Sequence, residues 1–274
     1  MMTFAKLPGS TRHAPRVPSN SQTTKSRKRF GFRWKASVNG SLGVQCAPTA
    51  WRWFSQGWMR REPPMTAIAF LLLSLTAVVA VSDWIAVANN YRVAEYLLKP
   101  LVMVFLIAVA LSIDPSSDFA RVMLVIGLLL SMIGDIALML PKDLFIAGLG
   151  AFLVAHVFYV IALLSLGISL TGFVVGVVLM TVVAVVLGRR IVQGAARVDK
   201  TMAGPVAAYI SVISLMVAAA IGTGQFFAIT GALLFGASDA LLGWTRFLKE
   251  FPRSRIIVMV TYHLGQAGLV LALL

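Results

Sequence analysis

The chain has 274 residues, 59% hydrophobic and only 12% charged, about half the charged share of a soluble domain. Its net charge of +14 sits almost wholly at one end: residues 1–64 hold 12 of the 24 Lys and Arg and a single acid, Glu62. The lone cysteine, Cys46, excludes an internal disulfide and any cysteine-cluster metal site.

Residues 1–64 are rich in Ser, Thr, Arg, Lys and Pro, include the run Lys25-Ser26-Arg27-Lys28-Arg29, and show no apolar periodicity. This composition predicts a disordered extension. A basic arm for nucleic acid or a membrane surface, or an acid-poor organellar presequence, would have a similar composition. No nucleic-acid partner is expected for the rest of the chain, whose charge balance is only +3.

From Met65 onward, apolar runs alternate with short polar joints. Their length, about 18–23 residues, matches the roughly 30 Å hydrocarbon core at 1.5 Å per helical residue. Spans are predicted near 65–86, 95–113, 119–140, 143–165, 169–188, 203–222, 226–248 and 255–273. The runs lack the two-residue alternation of a membrane strand, which disfavours a barrel. The predicted fold is an all-α integral membrane protein of about eight transmembrane helices.

The joints after spans 1, 3, 5 and 7 carry Arg92, Lys142, Arg189, Arg190, Arg197, Lys200, Arg246, Lys249, Arg253 and Arg255, whereas the opposite joints carry only Arg121. Cytoplasmic loops are enriched in Lys and Arg, so the first set is expected to be cytoplasmic and both Met65 and Leu274 outside. The basic tail would then also lie outside, against the same rule. The conflict disappears if Met65 is the true start and residues 1–64 are an over-extended reading of the gene. The expected location is multi-pass in the bacterial inner membrane.

Two spans share a pattern. Gly127-Leu-Leu-Leu-Ser-Met-Ile-Gly-Asp135 in span 3 matches Gly231-Ala-Leu-Leu-Phe-Gly-Ala-Ser-Asp239 in span 7, with Gly, Leu-Leu and Asp all offset by 104 residues. Lys99-Pro100-Leu101 in span 2 and Gly204-Pro205-Val206 in span 6 fall at a similar offset. Spans 1–4 and 5–8 thus read as two copies, and an even number of spans per copy makes the repeat parallel.

Ionisable groups at mid-bilayer cost about 2.5–3.5 kcal/mol on insertion scales, face protein or water, and mark function by default. The candidates are Lys99, Asp135, His156, Tyr159, Tyr209, Ser238, Asp239, Tyr262 and Gln266. Lys99, Asp135, Tyr209, Asp239, Tyr262 and Gln266 fall in the half of their spans nearest the charge-rich joints, and His156 lies closer to the middle. One shared cavity opening toward that side is expected. His156 and Tyr159 share a helix face, as do Tyr262 and Gln266; His263 points elsewhere. The alternative for Lys99 is snorkelling to the interface, for the tyrosines packing or interfacial anchoring, and for His156 a structural role.

Two carboxylates sharing a low-dielectric cavity do not both ionise easily, which leaves a proton-donating acid beside a carboxylate base. That pairing suits acid-assisted hydrolysis, with His156 passing protons or orienting a carboxylate. Neither a Gly-x-Ser-x-Gly elbow nor a His-Glu-x-x-His motif occurs, so a serine nucleophile and a zincin-type metal site are unsupported.

Lys99-Pro100 opening a span, Gly134-Asp135-x-x-Leu138-Met139, His156-x-x-Tyr159, Ser238-Asp239 and the late Tyr262 with Gln266 together resemble the YhhN/TMEM86 family, over residues 65–274. The resemblance implies an eight-helix membrane hydrolase of the lysoplasmalogenase type. Such enzymes cleave the vinyl ether of lysoplasmalogens to a fatty aldehyde and a glycerophospho-ethanolamine or -choline. It also implies Asp135 and Asp239 as the catalytic pair, with no metal or organic cofactor. The substrate would be a lysophospholipid entering from the bilayer, its phosphate near Lys99. Oligomeric state and head-group preference stay open. The rival reading is a proton-coupled transporter of a small molecule or lipid, which the repeat and the intramembrane charges also suit. An intramembrane aspartyl protease is disfavoured, because the motifs around Asp135 and Asp239 differ from that class and Pro-Ala-Leu is absent.

Overall fold

A computed structural model of the protein describes residues 65–274; the expectations for residues 1–64 lie outside the described residues. Eight helices among the described residues are long and apolar enough to cross a membrane. They are α1 (Ala67–Ala88), α2 (Arg92–Ser112), α3 (Asp118–Met139), α4 (Phe145–Ser165), α5 (Leu170–Val198), α6 (Ala203–Thr223), α7 (Phe226–Phe247) and α8 (Ser254–Leu271). A short 3₁₀ turn, Lys200–Met202, leads into α6.

The helix ends follow from the joints. At the charge-poor end, Thr66, Ser117 and Ser169 cap α1, α3 and α5, each side-chain oxygen accepting a backbone N–H of the first turn. Gly224, at φ 69°, ends α6 in the left-handed conformation that a glycine adopts freely. The same end is tied together by backbone bonds: Ser116 N–H donates to Leu273 O, and Ser169 N–H to Gly222 O, each at 2.8 Å.

The helix pairings echo the sequence repeat. The closest pairs are α3 with α4 and α7 with α8, followed by α1 with α2 and α5 with α6. The repeated glycines explain part of this. A Cβ on Gly231 would sit 2.7 Å from Leu269 N, and one on Gly268 only 2.6 Å from Gly231 Cα, so α7 and α8 meet backbone to backbone. Small residues are how membrane helices gain packing when lipid offers no hydrophobic drive. Gly127, the counterpart of Gly231, makes room instead for the ring of Tyr159, 2.3 Å from where its Cβ would be.

Two boundaries differ from expectation. The second helix begins at Arg92, three residues earlier than predicted, with Glu95 in its first turn. The fifth does not stop at Gly188. It passes through a π-helical stretch, Ala184–Gly188, and continues as Arg189–Val198. In that extension Ile191, Gly194 and Ala195 are buried while Arg189 and Arg190 are exposed, a one-sided pattern that sustains a helix despite its charges.

At the charge-rich end the joints are cross-linked. Arg246 of α7 donates to Asp143 of the α3–α4 joint at 2.6 Å, and this bond holds the Asp143 carboxyl below the usual carboxylate range. Arg255 donates to Glu95 at 2.7 Å and to Asn90 at 3.1 Å. Because these contacts gather the basic joints at one end, a reporter active only in the cytoplasm should be silent when fused after Leu274; strong signal there would reverse the orientation. Gly268→Val should force α7 and α8 apart, lowering stability by about 1–3 kcal/mol or more. An unchanged detergent melting temperature would show the contact to be dispensable.

Candidate active site

Lys99 sits in the second turn of α2, directly before Pro100. Proline carries no N–H, so the Tyr96 carbonyl one turn back loses its helical donor. Lys99 is buried, and its Nζ lies 2.9 Å from Asp135 Oδ1 on α3. It does not snorkel; its charge is committed to the carboxylate. The other oxygen, Asp135 Oδ2, accepts from Tyr262 OH of α8 at 2.6 Å.

The chain of bonds runs on. Gln266 Nε2 donates to Tyr262 OH at 3.3 Å, Tyr159 OH donates to Gln266 Oε1 at 3.0 Å, and Ser131 Oγ lies 2.9 Å from Tyr159 OH. A continuous polar thread thus crosses α2, α3, α8 and α4, every member buried. Neutral polar groups at this depth are costly unless bonded, and the thread leaves each of these side chains with a partner.

Asp239 has a different setting. Its Oδ2 accepts a hydrogen bond from Tyr209 OH of α6. His156 Nε2, from α4, lies 3.6 Å from the same oxygen, outside hydrogen-bond range. His156 Nδ1 is 2.6 Å from Phe152 O. A carbonyl only accepts, so Nδ1 carries a proton, and Nε2 is the ring nitrogen turned toward Asp239. No Lys or Arg lies within ion-pairing distance of Asp239 among the described residues. Phe235 packs among the rings of Phe152, His156, Tyr159 and Tyr262, at centroid distances of 4.7–6.3 Å, and is fully buried.

The two aspartates therefore have equivalent places and unequal partners. Each takes one partner from the second helix of its own half, Lys99 or Tyr209, and faces one from the fourth helix of the other half, Tyr262 or His156. Both open on a cavity of about 290 Å³ that Lys99, Ser238 and Tyr262 also line. Arg92, Glu95, Glu250 and Arg255 form its charged mouth at the basic end. His156, Tyr159, Tyr209 and Gln266 stand behind the cavity wall rather than on it. Ser238 turns its hydroxyl to Val258 O at 3.0 Å and braces α7 on α8. No group of three His, Cys, Asp or Glu among the described residues is placed to hold a metal.

Sequence reasoning overlooked Ser131 and Asp83. Asp83 of α1 is wholly buried, and neither oxygen has a hydrogen-bond partner. A carboxylate inside a predicted span was the available signal. His263, set aside earlier, faces α1, where its Nδ1 accepts from Trp84 Nε1 at 3.1 Å.

The sequence model of the YhhN family matches residues 94–273, well over half of the chain. This chain belongs to the YhhN family. The matched stretch takes in every residue of the polar thread and of the Asp239 cluster, and leaves out the whole of α1. Among curated proteins the chain is similar to "Lysoplasmalogenase TMEM86B" of Homo sapiens, 30% identical over 161 residues, 59% of this chain and 67% of that protein. It is also similar to the Mus musculus protein of the same name, 32% identical over 148 residues, 54% of this chain and 62% of that one. The chain thus spans about two thirds of the length of these relatives. No solved structure matches.

Within this YhhN protein the Lys99–Asp135 pair is open to a direct test. Lys99→Met leaves a buried carboxylate uncompensated and should cost about 3–5 kcal/mol. Adding Asp135→Asn should recover most of the loss, because neutral groups then replace both charges. Thermal unfolding in detergent reads both; an unchanged midpoint for Lys99→Met would remove the pair from the forces holding α2 on α3.

Proposed function

We propose that this protein is a membrane-embedded hydrolase that cleaves the vinyl ether bond of lysoplasmalogens, releasing a fatty aldehyde and a glycerophospho-ethanolamine or -choline. The observation carrying this reading is the unequal setting of two repeat-related aspartates on one cavity: Asp135 is tied to a lysine, and Asp239 has no Lys or Arg beside it among the described residues. The similarity to proteins named lysoplasmalogenase supports the substrate class.

The chemistry divides between them. Asp239 acts as the acid. Tyr209 occupies Oδ2 and leaves Oδ1 for the proton, which passes to the β-carbon of the vinyl ether and generates an oxocarbenium ion. Asp135, ionised against Lys99, stabilises that cation and receives a proton from the attacking water. Addition of water gives a hemiacetal, which collapses to aldehyde and alcohol. The proton taken up by Asp135 returns to Asp239, which His156 Nε2 faces. The net reaction is vinyl ether plus water to aldehyde plus alcohol, and proton transfer suffices for each step.

Lys99, spent on Asp135, serves the carboxylate rather than the phosphate. Arg92 at the cavity mouth suits the phosphate, and Glu250 suits a cationic head group. Tyr262, Gln266 and Tyr159 hold Asp135 in register, and Ser238 holds the helix that bears Asp239.

Purified protein is expected to release aldehyde from a lysoplasmalogen and none from its saturated alkyl-ether analogue. Asp135→Asn and Asp239→Asn should each lose about 10²–10⁴ in rate, typical of a lost acid or base, and the double variant should be little worse, since residues acting as a unit are not additive. A folded single variant with parental activity would sink the paired-aspartate mechanism. A parent with no aldehyde release would favour the transporter reading.

A further inference from the structure

A second cavity, of about 90 Å³, lies against the first. Its walls are apolar side chains of α4, α5, α6 and α7 with Leu138 of α3; Tyr209, Ser214 and Asp239 are the polar side chains that reach it. The two cavities share Leu138, Phe152, Leu242 and Asp239. Asp239 therefore stands where a charged compartment meets an apolar one.

The apolar chamber is built by the shape of α5. Toward the charge-poor end α5 is pinned to α6 by glycines one turn apart. A Cβ on Gly172 would lie 3.1 Å from Ile221 O, and one on Gly176 only 2.8 Å from Ala218 Cα. Toward the basic end α5 is pinned again, with a Cβ on Gly194 falling 2.8 Å from Phe247 O, beside a separate apolar cluster of Ile191, Ala195 and Val206. Between the pins α5 takes its π-helical stretch, Ala184–Gly188. Met180, Val183, Ala184, Leu187 and Gly188 line the chamber there. Such π segments insert one extra residue, carry a cost in helix stability, and recur at functional sites.

We infer that this chamber is the binding site for the hydrocarbon chain of a single-chain glycerophospholipid whose head group occupies the charged cavity. The assignment of ligand rests on the hydrolase reading above. An amphiphile spanning both compartments places its head–chain junction at Asp239. In a lysoplasmalogen that junction is the vinyl ether, so the partition of the site by polarity brings the scissile bond to the acid. The π segment sets the room for the chain, and Ala184 is the residue whose size governs it.

A lysophosphatidylethanolamine carrying a diazirine in mid-chain tests this without catalysis, since its ester-linked chain has no vinyl ether. After irradiation of the full-length protein in detergent, label is expected on chamber residues of α5 and α6 and should be displaced by excess unlabelled lysophosphatidylethanolamine. Ala184→Phe should reduce that label at least tenfold and raise KM for long-chain vinyl ether substrate more than for a chain-truncated one. Val185→Phe, the adjacent residue facing outward, should do neither. Label confined to outward-facing residues, or chamber label on the parent that excess lipid does not displace, would overturn the inference. If Ala184→Phe fails to fold, the map and its competition on the parent decide the question. Chamber labelling in a protein that releases no aldehyde would uphold the chain site and reject the hydrolase reading alone.

Discussion

A carboxylate at membrane depth needs a counter-charge, and here Lys99 supplies it to Asp135. Taking both ions out of water is costly, and the pair is tolerable only if the remaining lone pairs and protons are bonded. That requirement propagates. Tyr262 caps the second oxygen, Gln266 steadies Tyr262, Tyr159 answers Gln266, and Ser131 answers Tyr159. Four helices are fixed in mutual register by the consequences of one buried charge pair, and Gly127 exists where a larger residue would displace the Tyr159 ring.

Asp239 shows what the same place in the fold does without a cation. Its hydroxyl donor is bonded directly, its imidazole neighbour is held off by a bond to Phe152 O, and its position between two cavities leaves it in reach of a ligand. A duplicated scaffold thus offers two carboxylates of like depth and unlike chemistry. The difference lies in the partners each half supplies, Lys99 and Tyr262 for Asp135, Tyr209 and His156 for Asp239, and Lys99 and Tyr209 do not occupy corresponding places in the repeat.

Much of this was legible in the sequence because the bilayer imposes lengths and forbids stray charge. Eight spans followed from run length, and the polar residues that the structure gathers around the two aspartates followed from polarity inside those runs. What could not be read were pairings across the fold. Lys99 looked close enough to a span end to reach the interface, but α2 starts at Arg92, so Lys99 lies two turns in and Arg92 takes the interfacial place. The double arginine at 189–190 looked like a terminus, yet Ile191, Gly194 and Ala195 keep an inward stripe that carries α5 onward. Asp83 was passed over, although its apolar surroundings marked it as plainly as they marked Asp135.

The crossed partnership of the aspartates has a bearing on how the chain must be assembled. Asp135 draws Tyr262 from the second half, and Asp239 faces His156 from the first. A polypeptide cut in the α4–α5 joint would yield two four-helix fragments, each holding an aspartate deprived of a neighbour that only the other fragment carries. Neither fragment is a miniature of the whole. The polar thread is complete only with α8, which brings Tyr262 and Gln266, so within the first half alone Lys99 and Asp135 have only each other.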